Sequence, residues 1–198
     1  MTKKKMDIYL ERIEESQDNF TVIEEEIWKK FGVNKVVMVC DSTNFSQKTK
    51  NYGIVHFLYL FDKMVKMTSP IIKKNHGQLL KTSADNLLVI FKDMRSAANC
   101  AIEIQKKIMI YNLDANKKNR FGFCMGLASG RVLNYNNDVF GDTVNVASKL
   151  GEDLAKDGEI LIEEQIYEFL KTYLGYKFSK KIRKTISSIE VNYFKIKY

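Results

Sequence analysis

Asp138-Val139-Phe140-Gly141-Asp142-Thr143-Val144-Asn145-Val146-Ala147-Ser148-Lys149-Leu150 joins a turn, a helix start and a polar pair at helical spacing in one short run. Gly141 permits a sharp bend and Asp142 is the candidate N-cap, while Val144 and Ala147, with Ser148 and Leu150, supply an inward side. Asn145 and Lys149 then fall one turn apart on a shared face. An amide and an ammonium so placed can both donate to one anion without repelling each other. A solvated helix face accounts for the same two residues, so the segments that flank the run decide between the two.

Two such segments stand upstream. Val36-Val37-Met38-Val39-Cys40-Asp41-Ser42-Thr43-Asn44-Phe45-Ser46 is an apolar, β-branched run that ends on a carboxylate, and Lys81-Thr82-Ser83-Ala84-Asp85-Asn86 is a polar hairpin turn that carries another. Around them, the pattern predicts a strand over 35–40, a loop to Asn51, a helix over 52–68 closed by Ser69-Pro70, and strands over 78–82 and 86–91. A long helix capped by Asp93 follows, then a strand over 121–128, a short strand before Asn136-Asn137, the helix of the opening run, a strand at 159–162, a helix over 163–174 and two closing strands. This is an α+β, ferredoxin-like order (βαββαβ) with a C-terminal α/β extension. Ahead of it, residues 1–31 form an N-terminal amphipathic helical segment, in one helix or two, with Trp28 as an apolar anchor; residues 32–198 form the main domain.

Taken together, the three quoted segments resemble the class III nucleotidyl cyclases, the adenylate and guanylate cyclase catalytic domain, over nearly everything after residue 32. The resemblance implies a phosphorus-oxygen lyase that converts ATP to 3′,5′-cyclic AMP and pyrophosphate. It makes Asp41 and Asp85, with the carbonyl of Ser42, the ligands of two Mg2+ or Mn2+ ions. Hard cations of this kind take carboxylate oxygens on rigid supports, as a strand end and a tight turn provide. Lys81 and Asp138 match the purine-reading positions: an ammonium donates to adenine N1 and a carboxylate accepts from its N6 amine. The guanylate-specific members carry an acidic residue and a small one there. Asn145 matches the ribose-positioning residue, Lys149 the cation on the α-phosphate and Lys184 a lysine on the triphosphate tail. Because the family draws its metal ligands from one subunit and its base-reading groups from the other, the resemblance also implies a homodimer with two shared sites. In the family a helix ahead of the first strand often helps to pair subunits; packing on its own domain is the alternative for residues 1–31.

Three positions depart from the family pattern. Ala84 stands where the turn has glycine: if that glycine serves a positive φ, alanine strains the turn by about 1–2 kcal/mol and could shift Asp85, and if it serves only compactness, alanine is harmless. Lys149 stands where arginine is usual, keeping the charge and losing the planar fork. Thr185 follows Lys184 in place of glycine. Rival readings are a cyclase for GTP or a pyrimidine triphosphate, or a silent cyclase-like module that binds a nucleotide or a partner.

Composition fits a single domain of 198 residues, 45% hydrophobic, with no apolar run long enough to cross a bilayer, which implies a cytoplasmic protein. Cys40, Cys100 and Cys124 are far apart and set in apolar patterns, arguing for reduced core thiols. The net charge of +8 comes in small clusters with no basic stripe, and the aromatic signature of RNA-binding ferredoxin-like domains is missing, so no nucleic-acid partner is expected. His56 and His76 are isolated and read as structural, and Phe45 and Phe140 as packing beneath the loops.

Overall fold

The β-branched run after Gly32 becomes the middle of a sheet. In the computed structural model, which describes residues 6–15, 19–83, 85–186 and 189–198, β1 (Gly32–Ser42) is buried from Val36 to Cys40. It is bonded on both sides to antiparallel neighbours, β3 (Asn86–Phe91) and β4 (Phe123–Tyr135). A strand buried on both faces needs no polar alternation, which is why 36–40 reads as a continuous apolar run. With β2 (Gln78–Ser83) outside β3, the order β2-β3-β1-β4 is the ferredoxin-like arrangement that the pattern predicts. The sheet continues through β6 (Ile160–Glu163), parallel to β4, then β9 (Ile189–Lys197) and β7 (Lys177–Phe178); β5 (Asp138–Phe140) pairs with β4 and β8 (Ile182–Ile186) with β9.

Two long helices, α4 (Ile54–Lys74) and α5 (Met94–Asp114), cover one face. Met64, Ile72, Ala101, Ile104 and Ile108 from them meet Met38, Val89, Phe91 and Leu127 of the sheet in the main core. The Asp93 side chain caps α5 by accepting from the Ser96 N–H at 2.8 Å. Helix α4 does not stop at Pro70 as the sequence suggests. Burial of Ile71 and Ile72 beyond the proline contributes about 3–6 kcal/mol, which offsets the roughly 3 kcal/mol that an internal proline costs. The segment expected as a loop to Asn51 is mostly helical: α3 (Phe45–Tyr52) is anchored by the Phe45 ring, edge-on to Phe57 at 4.4 Å.

The opposite face carries α6 (Asp142–Ser148), which widens into a π-helical turn over Lys149–Leu154. Its backbone lies directly on β4. A Cβ at Gly126 would stand 2.2 Å from the Ala147 carbonyl oxygen and 2.3 Å from the Gly151 nitrogen, so only glycine admits that approach. Ala147 and Leu150 then pack over Val39, Ala128 and Leu161.

The N-terminal segment is two helices, α1 (Asp7–Glu15) and α2 (Phe20–Phe31). Met6, Ile23 and Ile27 pack with Leu133 and Tyr135, and the Arg131 guanidinium lies 4.9 Å from the Trp28 ring while donating to the Trp28 carbonyl at 3.0 Å, so the segment docks on β4 of its own chain. Helix α7 (Glu164–Leu170) is shorter than expected, because Gly175 (φ 102) and a fully exposed Leu174 leave nothing apolar to continue it. The three cysteines are free and buried.

Glu163, at the end of β6, accepts the Ser129 N–H of β4, and burial pushes its carboxyl up to about 7. The folded state binds this proton more tightly than the unfolded chain. Its contribution is therefore complete below the usual glutamate range, falls as pH rises, and is gone above about 7. Raising the pH from 4.5 to 8 should cost wild type about 3 kcal/mol more than Glu163→Gln, as read from paired urea denaturations at the two pH values.

Candidate active site

Asp41 sits at the end of β1, across the ladder from Asn86 on one side and Cys124 on the other. The next residue stitches the hairpin turn to the strand end, because the Ser42 N–H donates to the Asp85 carbonyl at 3.0 Å. Two carboxylates thus stand on directly connected backbone. Burial is the main cause that pushes the Asp41 carboxyl up to about 7, and the neighbouring charges of Asp85 and Glu152 add to it. Ala84, the departure from the family turn, lies outside the described residues.

The donor set fits a hard divalent cation. Beside the two carboxylates, Ser42 Oγ and Asn86 Oδ1 are buried oxygens without a hydrogen-bond partner. Among the described residues, no three His, Cys, Asp or Glu side chains are grouped to hold a metal by themselves, so further ligands would come from water or a phosphate.

Helix α6 starts on Gly141 (φ 130) and Asp142 is its first helical residue, with no side-chain cap; this corrects the expected N-cap. The Lys149 N–H donates to the Asn145 carbonyl, which fixes the two side chains one turn apart. Asn145, Ser148, Lys149, Glu152 and Asp153 line an open depression of 380 Å3. Residues Lys81 and Asp138 lie far apart in sequence and meet in space: Lys81 Nζ is 3.1 Å from Asp138 Oδ2. Asn136 and Asn137, both left-handed, make the turn that presents Asp138, whose Oδ1 accepts the Val139 N–H. Lys81 is 55% exposed, so this pair is worth about 1 kcal/mol at most and opens readily to a ligand edge.

Other expected residues fall elsewhere. Lys184 is exposed on β8, opposite Val191, and among the described residues no hydrogen bond or ion pair joins it to the other candidates. Phe140 is 50% exposed rather than packed beneath a loop, because β5 is an edge strand with its outer face bare. His56 Nε2 lies 3.1 Å from the Lys118 carbonyl, a structural contact.

Sequence reading missed Glu152 and Asn86. Asn86 Nδ2 donates to Glu152 Oε1 at 3.0 Å, so the π-helical turn that carries Lys149 also grips the turn that carries Asp85. Although Glu152 is exposed as a residue, partial burial of its carboxyl, with Asp153 and Asp85 nearby, raises its affinity for a proton. A helix that tightens or widens after its signature is invisible to a three- and four-residue count, and only the acidic pair Glu152-Asp153 marked it.

Comparison with known proteins bears on the family and the fold. Residues 33–193 match the adenylate and guanylate cyclase catalytic domain. An adenylate cyclase of Streptomyces coelicolor is 25% identical over 132 residues, 67% of this chain and 33% of that protein. The chain spans only 16–33% of the length of the relatives it matches, which include a serine/threonine-protein kinase of Myxococcus xanthus, 24% identical over 67% of this chain and 16% of that protein. Among solved structures, an adenylate/guanylate cyclase/hydrolase from Silicibacter pomeroyi superposes with a TM-score of 0.72 at 22% identity, covering 83% of this chain and 96% of that one. The guanylate cyclase domain from Catenaria anguillulae, in complex with GTP, gives 0.69 at 20% identity over 83% and 96%. Those two likenesses concern the fold; the match over 33–193 concerns descent, and by it the chain belongs to the adenylate and guanylate cyclase catalytic domain family.

Proposed function

We propose that the chain is a nucleotidyl cyclase that forms 3′,5′-cyclic AMP and pyrophosphate from ATP, at sites shared between two copies. The observation that carries this is that one chain holds both halves of the chemistry. Asp41 and Asp85 stand on stitched backbone, while Asn145 of α6 and Lys149 at the start of the π-helical turn lie one turn apart and Lys81 pairs with Asp138.

Asp41 and Asp85, with the Ser42 carbonyl, would hold two Mg2+ or Mn2+ ions. Bound there, such ions make the 3′ hydroxyl a better nucleophile and neutralise charge on the leaving pyrophosphate. Lys81 donates to adenine N1 and Asp138 accepts from the N6 amine, exchanging their mutual contact for the base. Asn145 orients the ribose so that O3′ lies in line with the α-phosphorus, and Lys149 places positive charge where the α-phosphate oxygens gain negative charge. Lys184 is assigned to the triphosphate tail. A symmetric pair of chains would complete two equivalent sites.

Incubating the protein with each of the four ribonucleoside triphosphates and Mn2+, and resolving products by mass, tests this reading. The expected result is cyclic AMP from ATP in preference to the other three. Unaltered triphosphate despite measurable binding would favour the silent module. The Asn86–Glu152 bond adds a graded expectation. Glu152→Ala frees the Asp85 turn and should raise the Mn2+ concentration for half-maximal rate by about tenfold or more, whereas Glu152→Gln keeps the accepting oxygen and should lose much less.

A further inference from the structure

One residue beyond Ser42 the chain builds a second charged cleft, which none of the groups assigned above uses. Thr43, Asn44, Lys48, Lys117, Arg120 and Asp157 face an opening of 370 Å3 between α3 and the segment that leads into β4. The parts are fastened together. The Thr43 N–H donates to the Gly122 carbonyl at 3.0 Å, and a Cβ at Gly122 would stand 2.0 Å from Asp157 Oδ1 and 3.1 Å from Thr43 Oγ1. A side chain at 122 would push the Asp157 carboxylate away from that corner. Arg120 Nε donates to the Ala115 carbonyl at 3.1 Å, which holds the near end of the guanidinium. Lys48 Nζ reaches the Lys118 carbonyl at 3.4 Å.

Charge in the cleft is unbalanced. Among the described residues, no ion pair neutralises Lys48, Lys117 or Arg120, and Asp157 is the one carboxylate in the lining. Lys48 is half-buried, and that burial lowers its affinity for a proton, with only Asp157 acting against the effect. Two ammonium groups and a guanidinium lining one cleft, with a single carboxylate to balance them, attract a multiply charged oxyanion: an ammonium supplies a point charge and the guanidinium donates in a plane. Side-chain amides in the remaining lining, such as Asn44 and Asn51, offer further donors, beside the rings of Tyr52 and Phe121.

We propose that this cleft binds a phosphate or pyrophosphate group through Lys48, Lys117 and Arg120, beside the metal-binding strand end and apart from the residues that read base and ribose. Pyrophosphate as the natural occupant rests on the cyclase reading; anion binding itself does not. The group can arrive as the end of a bound nucleotide or as the free anion, and both present the same terminal oxygens.

Titrating the metal-free full chain with inorganic pyrophosphate, followed by calorimetry, tests the site. Saturable binding is expected, weakened about tenfold or more by Lys48→Gln with Arg120→Gln, since a hydrogen bond to a charged group is worth that factor. Lys117→Gln alone, at an exposed position, should weaken it less and guards against a folding defect at Lys48. Asp157→Asn should tighten binding because it removes the opposing charge, and Lys63→Gln, whose ammonium lies over the Tyr111 ring, should change nothing. A non-hydrolysable ATP analogue separates the two sources: displacement of pyrophosphate assigns the cleft to the nucleotide's end, and joint binding assigns it to the free anion. Equal binding by wild type and both lysine and arginine variants, weaker binding by Asp157→Asn, or no saturable binding overturns the proposal. A protein that turns over no triphosphate yet binds pyrophosphate in this pattern would sink the cyclase reading and leave the anion site standing.

Discussion

Asp41→Ala protein is expected to lose turnover by about 10^3-fold, the scale seen when a transition-state charge loses its support, and to gain thermal stability. The two effects have one cause. In the metal-free chain Asp41 is held against burial and against the Asp85 and Glu152 carboxylates, which is why its carboxyl is pushed up to about 7. Removing the side chain relieves that repulsion and at the same time removes a ligand. Paired initial rates with Mn2+ and thermal unfolding of the metal-free protein measure both. A variant that is inactive and also less stable would mean that Asp41 serves the fold rather than the chemistry.

Lys81→Glu combined with Asp138→Cys should move preference from ATP towards GTP, changing the ratio of their kcat/KM values by about 10^2 to 10^3. Sites that hydrogen-bond a substrate edge reject a mismatched one by factors up to about 10^5, and the exposure of Lys81 places this site below that ceiling. The reason is the reversed pattern of the two purines. Adenine offers an acceptor at N1 and a donor at N6, which suit an ammonium and a carboxylate; guanine offers donors at N1 and N2 and an acceptor at O6. Glutamate at position 81 accepts where lysine repels, and cysteine at 138 removes a carboxylate from the neighbourhood of O6. Among the described residues Lys81 has Asp138 as its side-chain partner, and Asp138 otherwise accepts only the adjacent Val139 N–H, so the double variant should fold as wild type does. Kinetics with both triphosphates measure the change, and an unaltered ratio would remove these two residues from base recognition.

The order of elements was legible because the strands that matter are buried on both faces and therefore spell continuous apolar runs, as 36–40 does. Where local rules compete with packing, packing prevails. Pro70 is a helix stop by its own chemistry and a mid-helix residue once Ile71 and Ile72 find the core. Helix α3 hides in a polar segment because one phenylalanine, Phe45, does the anchoring that periodicity normally signals with several residues.

For the site, motif spacing placed Asp41, Asp85, Asn145 and Lys149 on their elements, and Lys81 with Asp138 is a contact that only the fold displays. Glu152 and the Lys48, Lys117 and Arg120 cleft left only weak marks in the sequence, an acidic pair at 152–153 and a small basic cluster at 117–120. Their partners come from distant segments, Asn86 for the first and Gly122 with Asp157 for the second, and no fixed spacing links such pairs.

Mixing Asp41→Ala protein with Asn145→Ala protein tests the central claim most directly. Each variant alone should be inactive, and the mixture should regain activity, because a mixed dimer assembles up to one site with both aspartates from one copy and the amide and ammonium from the other. No recovery in a mixture shown by native mass spectrometry to contain the mixed dimer would contradict a site shared between two chains.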